Sequence, residues 1–293
     1  YSSCRCRCMT LDRELLEFLL SPWSLGVLGL CMGSFLNVVI HRVPLMLERG
    51  WKADSAEMLG LPVEAGPEIT LSSPRSRCPS CGHAIAWHEN IPLLSYLRLR
   101  GRCSACGVHI SLRYPFIELL TAALFAAVAW RVGPTPIALL WCGFVAMLVA
   151  LAGIDWDTTL LPDNLTLPLL WAGLIAAGAG WTIALPDALW GAVAGYLSLW
   201  SVYWLFKLAT GKEGMGFGDF KLLAALGAWL GLKMLLPVIL AASLLGAVVG
   251  IAMKLNSALR EGRYVPFGPF LAGAGLAVML AGPTRVYGWM GWA

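Results

Sequence analysis

Residues 137–154 form the run IALLWCGFVAMLVALAGI, which has no charged side chain and ends directly before Asp155. About 20 apolar residues in a helix cross the ~30 Å hydrocarbon core of a bilayer, so this run predicts a transmembrane helix. The composition agrees, because 58% of the residues are hydrophobic and 13% are charged, whereas soluble domains have about 25% charged residues. We therefore predict an all-α polytopic membrane protein.

Seven further apolar runs flank this segment and bring the predicted number of transmembrane helices to about eight. The shortest of them, Phe220–Leu232, cannot span a bilayer unaided at ~1.5 Å per residue. Either the bilayer thins there, or Asp219 lies below the headgroups on a buried, water-lined face, and we expect the second. The seven runs are Pro22–Ile40, Pro115–Trp130, Leu165–Trp181, Leu189–Phe206, Phe220–Leu232, Met234–Met253 and Pro266–Met279.

The apolar and polar stretches divide the chain into four predicted parts. An N-terminal tail (1–21) precedes the first transmembrane helix (22–40), which we expect to be retained rather than cleaved as a signal peptide. A small polar domain (41–114) follows, and residues 115–293 form the remaining transmembrane core. The polar domain has little apolar content and needs another source of stability.

The distribution of basic residues predicts the orientation in the membrane. If 41–114 faces the cytoplasm, fifteen Lys and Arg residues lie inside and six lie outside, as the positive-inside rule requires. Asp155 and Asp219 then both lie near the cytosolic face. The six outside residues are Arg5, Arg7, Arg13, Arg131, Lys233 and Arg285, and the inside set includes Arg260 and Arg263.

Four cysteines in the polar domain have the spacing of a metal site. Cys78 and Cys81 form one Cys-x-x-Cys-Gly knuckle, and Cys103 and Cys106 form the second. Four thiolates complete a tetrahedral zinc site, and four protein ligands make the zinc structural because no coordination position stays open. Redox-active or free thiols are the alternative. Nearby histidines (His83, His88 and His109) are expected to be solvated or packed on the knuckles rather than ligands.

Two aspartates at the ends of apolar runs are the candidate catalytic residues. Asp155 closes the run 137–154, and Asp219 opens a second apolar segment after Gly216 and Gly218. Ionisable residues at such places are costly and indicate function, and paired carboxylates are able to activate water. The alternative for Asp219 is a helix N-cap, and a helix N-cap is also expected for Asp163.

Glycines and buried polar residues add further candidates. Gly216 and Gly218 allow a substrate strand to lie close to Asp219, whereas a dinucleotide-binding loop is excluded because no strand precedes them. Near the first span, the stretch from Gly33 to Asn37 fits helix packing or substrate contact. Glu118 is a buried acid whose partner cannot be identified from the sequence.

Taken together, the motifs resemble one family, the bacterial type IV prepilin peptidases, also called leader peptidase/N-methyltransferases. The match extends from about residue 22 to residue 275 in the family's order. The matching stretches are Gly33–Val38 with Arg42 and Pro44, the two Cys-x-x-Cys-Gly knuckles, Arg113–Thr121, Ile154-Asp155 through Asp163, Gly216–Asp219 and Pro266–Ala272.

This resemblance implies an aspartyl protease of the Gly-x-Gly-Asp type in the bacterial inner membrane, with Asp155 and Asp219 as the catalytic pair. It implies cleavage of the basic leader of prepilins or type II secretion pseudopilins on the cytosolic side. It further implies methylation of the new N-terminus with S-adenosylmethionine, although no motif locates that site. Membrane lipid is an expected partner and nucleic acid is not.

Three other functions are compatible with parts of the sequence. A leader peptidase without methyl transfer keeps both aspartates, and an assembly or docking subunit uses the acids only to cap helices. A proton-coupled transporter also places acids in spans, but inverted repeats are not found in the sequence.

Overall fold

The computed structural model describes residues 13–62, 69–255 and 265–292. It is about 74% helical, and within these ranges the only β-type pairings are isolated bridges, Arg77 with Ala84 and Arg102 with His109. The all-α prediction is therefore confirmed. Four of the basic residues used to predict the orientation (Arg5, Arg7, Arg260 and Arg263) lie outside the described ranges.

Ten helices with defined bounds follow one another along the described residues, after a short helical stretch at 13–19. They are α1 Pro22–Met58, α2 Leu94–Arg98, α3 Arg113–Val132, α4 Pro136–Thr158, α5 Asp163–Gly178, α6 Leu185–Thr210, α7 Phe217–Leu230, α8 Leu232–Leu255, α9 Gly268–Ala281 and α10 Pro283–Met290.

Each of the eight predicted apolar runs lies largely in one of these helices, but their lengths differ. Five helices are long and apolar enough to cross a membrane (α1, α3, α4, α6 and α8), and α9 with α10 makes a sixth candidate that is bent by 107°. The remaining two, α5 and α7, have 16 and 14 residues and are shorter than a spanning helix.

The first helix continues beyond its apolar run. α1 extends from Pro22 to Met58, includes Pro44 in its interior, and so enters the segment predicted as the polar domain 41–114. Hydropathy marks where a helix leaves the apolar environment, and it does not mark where helical backbone ends. The boundary of the predicted domain at residue 41 remains a prediction, while the helix itself crosses that position.

Contacts divide the chain into two compact units, residues 1–150 and residues 151–293. In the first unit, α1 and α3 touch through small residues. A Cβ at Gly29 would lie 2.7 Å from the Cα of Ala122, and a Cβ at Gly33 would lie 2.6 Å from the Cα of Glu118. Glycine at these two positions is thus a requirement for the close approach of the backbones.

In the second unit, α7 is the central element. It packs against α5, α6, α8 and α9, and Phe220, Leu222, Leu223 and Ala225 are fully buried. The expectation of a short, buried helix at this position is confirmed. The contact with α6 is closest at Gly227, where an added Cβ would collide with the backbone of Gly191.

Candidate active site and cysteine cluster

Asp155 lies in the last turn of α4 and is 4% exposed. The helix ends at Thr158, and Thr159 follows with a left-handed φ of 55°. The backbone N–H of Gly268 donates a 2.9 Å hydrogen bond to Oδ2 of Asp155. A carboxylate in a last helical turn faces the negative end of the helix dipole, so this aspartate does not stabilise its helix.

Asp219 is the third residue of α7 and is 7% exposed. Gly216 is the N-cap residue, and its backbone gives the Asp219 carboxyl group a hydrogen bond. The N-cap alternative for Asp219 is therefore wrong, because the helix begins at Phe217, three residues earlier than an N-cap at Asp219 requires. Within the part of the chain that the structure describes, Oδ1 of Asp219 is buried and has no hydrogen-bond partner, although a buried polar atom ordinarily has one.

The two aspartates belong to the same compact unit and interact electrostatically with each other. Leu161, in the loop after α4, lies close to the backbones of both Gly218 and Gly268. A Cβ added at Gly218 would lie 2.5 Å from the Cβ of Leu161, and one added at Gly268 would lie 3.2 Å from its Cδ1. The loop after Asp155, the turn before Asp219 and the start of α9 therefore meet at Leu161.

Gly216 and Gly218 differ in their surroundings. A Cβ at Gly216 would lie 4.0 Å from Oδ2 of Asp219, which is open enough for a side chain, whereas Gly218 is in close contact with Leu161. We expect a close backbone approach at both glycines, and at Gly218 the group that approaches is Leu161 of the same chain. Substrate approach at these two glycines remains a prediction.

The other loop acids take different positions. Asp157 is exposed. Asp163 is the first residue of α5 and the N-cap is Pro162, so the N-cap expectation for Asp163 is wrong. Its carboxylate instead pairs with Lys221 at 2.6 and 2.7 Å, which joins the loop after Asp155 to the helix that contains Asp219.

The four predicted cysteines converge in the first unit. Their sulfur atoms all lie within 4.8 Å of one another, with 3.8 Å between Cys78 and Cys106 and 4.0 Å between Cys81 and Cys103. Zinc–thiolate bonds of about 2.3 Å in a tetrahedron require sulfur separations of about 3.8 Å. This cluster could therefore hold a metal ion.

Backbone groups favour the thiolate form of the first cysteine in each knuckle, whereas burial and then the neighbouring sulfur atoms raise the pKa of Cys106 to about 12. Hydrogen bonds from the backbone of Cys81 and then Ser80 lower the pKa of Cys78 to about 6. The equivalent bonds from Cys106 and then Ala105 lower the pKa of Cys103. The knuckles end in Gly82 and Gly107, both at φ 71°, a left-handed conformation that glycine adopts without strain.

Glu89 lies between the two knuckles in the sequence, and its hydrogen bonds are to groups other than the four cysteine sulfur atoms. A hydrogen bond with the side chain of Ser104, and a second from the backbone of Ala86, lower the pKa of Glu89. His83 is 3.6 Å from the Glu89 carboxylate. Among the described residues, no histidine joins the four-cysteine group.

Sequence reasoning missed the partners of the buried polar residues near α1 and α3. Oε2 of Glu118 accepts a 2.7 Å hydrogen bond from the backbone N–H of Leu93, and its carboxyl group also bonds to Ser34. Nδ2 of Asn37 donates to the carbonyls of Gly33 and Tyr114. These bonds support the packing role for this stretch. Backbone partners have no residue-type signature, so no sequence signal could have identified them.

Two protein-family models together match most of the chain. The sequence model described as the bacterial Peptidase A24 N-terminal domain matches residues 27–132, and that of the type IV leader peptidase family matches residues 142–251. Solved structures give no match.

Several curated relatives cover nearly the whole chain. Those from Stutzerimonas stutzeri and Pseudomonas aeruginosa are each 54% identical, over 87% and 89% of this chain and 89% and 91% of their own lengths. A relative from Aeromonas hydrophila is 53% identical, over 91% of this chain and 94% of its own length. All three are named prepilin leader peptidase/N-methyltransferase.

Proposed function

Since this chain belongs to the type IV leader peptidase family, we propose that it cleaves the leader of a prepilin or pseudopilin and then methylates the new N-terminus. The observation that supports cleavage most directly is the pair of buried aspartates, Asp155 and Asp219. They interact with each other, and one buried oxygen of Asp219 has no hydrogen-bond partner among the described residues. An attacking water or a shared proton fits that atom.

In the proposed cleavage, one carboxylate removes a proton from water while the other holds a proton. The hydroxide adds to the scissile carbonyl carbon, and the protonated acid stabilises the forming oxyanion. Collapse of this intermediate breaks the C–N bond, and the departing amine takes a proton. The two carboxyl groups titrate as a coupled pair, so the roles belong to the pair. The Gly268 N–H fixes the orientation of the Asp155 carboxylate.

The second step transfers a methyl group from S-adenosylmethionine to the amine that cleavage exposes. The amine lone pair attacks the methyl carbon, the carbon–sulfur bond breaks, and a carbon–nitrogen bond forms. The nitrogen then releases one proton to water, and S-adenosylhomocysteine leaves.

The location follows from the same proposal. The protein is a multi-pass membrane protein, and we place it in the bacterial inner membrane with its cysteine cluster, Asp155 and Asp219 on the cytosolic side. That side contains the basic leader of the substrate and the methyl donor. In the cluster, Cys78, Cys81, Cys103 and Cys106 would hold zinc as a structural ion.

The test uses purified full-length protein in detergent with a prepilin, with and without S-adenosylmethionine, and intact mass as the readout. We expect loss of the leader without the donor, and the added mass of one methyl group only when the donor is present. An uncleaved prepilin beside folded, metal-loaded protein would contradict the peptidase proposal. Cleavage without added mass would contradict methyl transfer alone.

A further inference from the structure

A large cavity in the first compact unit lies apart in sequence from the aspartates. Its volume is about 640 Å³, and all its lining residues fall between Ser34 and Glu118. This volume is within the range of about 300–1,000 Å³ that is typical of small-molecule and cofactor sites. None of its residues belongs to the segments that contain Asp155, Asp219 or Gly268, so the proposed cleavage leaves this cavity without a role.

One wall of the cavity is a single face of α1. Ser34, Val38, His41 and Leu45 line it, and their spacing of three and four residues places them on one side of a helix. The lining also includes Cys78 and Cys103 from the two knuckles. A metal ion held by the cysteines would therefore fix one side of the cavity.

Charged groups of both signs line the same space. The acidic residues Glu118 and Glu89 and the basic residues Arg75 and Arg77 are among those that line it. Glu118 is 8% exposed. A carboxylate has about four acceptor positions, and the bonds with Leu93 and Ser34 occupy two of them. Acceptor capacity at a buried anion is thus left for a ligand.

Aromatic and aliphatic groups complete the lining. Tyr96 and Tyr114 are both present, together with Leu99 and Ile110. Tyr96 is held in place because its hydroxyl donates to the carbonyl of Ile110 at 3.2 Å. Flat rings and apolar side chains suit a planar heterocycle, whereas the paired charges do not suit a lipid acyl chain.

We infer that this cavity is the binding site for S-adenosylmethionine, an inference that rests on the methyl transfer proposed above. The ligand has the groups that the lining would recognise. Its sulfonium and ammonium cations and its ribose diol match the carboxylates of Glu118 and Glu89, its carboxylate matches Arg75 or Arg77, and its adenine matches the tyrosines.

The test measures binding of S-adenosylmethionine to the purified full-length protein by equilibrium dialysis, with zinc content and thermal unfolding as folding controls. Glu118→Gln removes the buried charge, and Ser76→Trp fills the cavity from a loop position that lines it. Ser72→Trp is the matched control, because Ser72 is exposed and does not line the cavity.

We expect Glu118→Gln and Ser76→Trp to weaken binding at least tenfold, and Ser72→Trp to bind as the wild type does. Among cleaved prepilin molecules, the methylated fraction should fall in parallel with binding. Ultraviolet crosslinking of methyl-labelled donor to the wild type should label peptides that contain Tyr96 or Tyr114. If the Glu118→Gln protein lacks zinc or unfolds at a lower temperature than the wild type, the affinity of Ser76→Trp and the position of the crosslink test the inference instead.

Two results separate failure of this inference from failure of the proposed function. Wild-type affinity in a folded, zinc-loaded Ser76→Trp protein, with crosslinks elsewhere, would overturn the cavity assignment and leave methyl transfer intact. A wild-type protein that cleaves prepilin but neither binds nor consumes the donor would overturn methyl transfer itself.

Discussion

The backbone N–H of Gly268 donates a 2.9 Å hydrogen bond to Oδ2 of Asp155, a residue 113 positions earlier in the chain. A Cβ at Gly268 would lie 2.6 Å from the same oxygen, so only glycine allows this bond. Asp155 is consequently oriented by the start of α9 rather than by its own helix.

Replacing Gly268 by alanine should therefore impair cleavage. The new methyl group must push the Asp155 carboxylate away, and displacements of about 1 Å are able to cost 10²-fold in rate. The matched control is Gly273→Ala in the same helix, where an added Cβ meets no atom within 4 Å. Prepilin cleavage rates should fall by one to two orders of magnitude in Gly268→Ala alone. Equal rates in both variants would show that the contact has no part in cleavage.

Removing either of the two carboxylates proposed as catalytic should abolish cleavage while the protein still folds. Asp155→Asn and Asp219→Asn keep the shape of the side chain but lose its acid–base chemistry, and the rate should fall roughly 10³-fold or more. Asp157→Asn is the control, because it is two residues from Asp155 but exposed. Intact-mass kinetics on a prepilin give the rates. A cleavage-competent Asp155→Asn or Asp219→Asn protein would exclude that residue from the catalytic pair.

The cysteine cluster should bind one zinc ion per chain. Cys106→Ser removes one of the four proposed ligands and should lower the zinc content and the unfolding temperature of the protein. Cys31→Ser is the comparison, since Cys31 lies in α1 outside the cluster. Elemental analysis of the purified proteins measures the metal directly. Full zinc occupancy in Cys106→Ser would contradict the four-thiolate site.

The contact of α6 with α7 should tolerate no side chain at Gly227. A methyl group there collides with the backbone of Gly191, and overpacking of this kind costs about 1–3 kcal/mol. At Gly178, where an added Cβ meets nothing within 4 Å, alanine should be neutral or stabilising by up to about 1 kcal/mol. Thermal unfolding in detergent compares the two variants. Similar unfolding temperatures in the two variants would mean that α6 and α7 move apart to accommodate the methyl group with little loss of stability.

The ion pair of Asp163 with Lys221 should have a small effect on stability. Its side chains are 53% and 29% exposed, and exposed pairs contribute about 0–1 kcal/mol. Its larger effect should be on geometry, because it ties the loop after Asp155 to α7. A double-mutant cycle with Asp163→Asn and Lys221→Met should show non-additive cleavage rates. Additive losses would indicate that the two residues act independently.

The sequence was sufficient to predict the helical architecture and the four-cysteine cluster, and it predicted a shared depth of Asp155 and Asp219 that makes a pair possible. Hydropathy, cysteine spacing and isolated acids all have residue-type signatures. The anchors of the buried acids have none, because Leu93 and Gly268 act through backbone N–H groups whose positions depend on the fold. Helix ends are misplaced because hydropathy does not mark them: the apolar run ends at Ile40 while α1 continues to Met58, and α5 already begins at Asp163, before its apolar run.

The shortness and burial of α7 have a consequence for how this protein is made. With 14 residues, it is shorter than the roughly 20 that an autonomously inserting segment needs, and Asp219 near its start adds a penalty of a few kcal/mol at membrane depth. We therefore expect α7 to remain outside the lipid phase during synthesis until α6 or α8 accompanies it. Biogenesis of the helix that contains Asp219 would then depend on its neighbours, and truncation of the nascent chain before α8 should leave α7 uninserted.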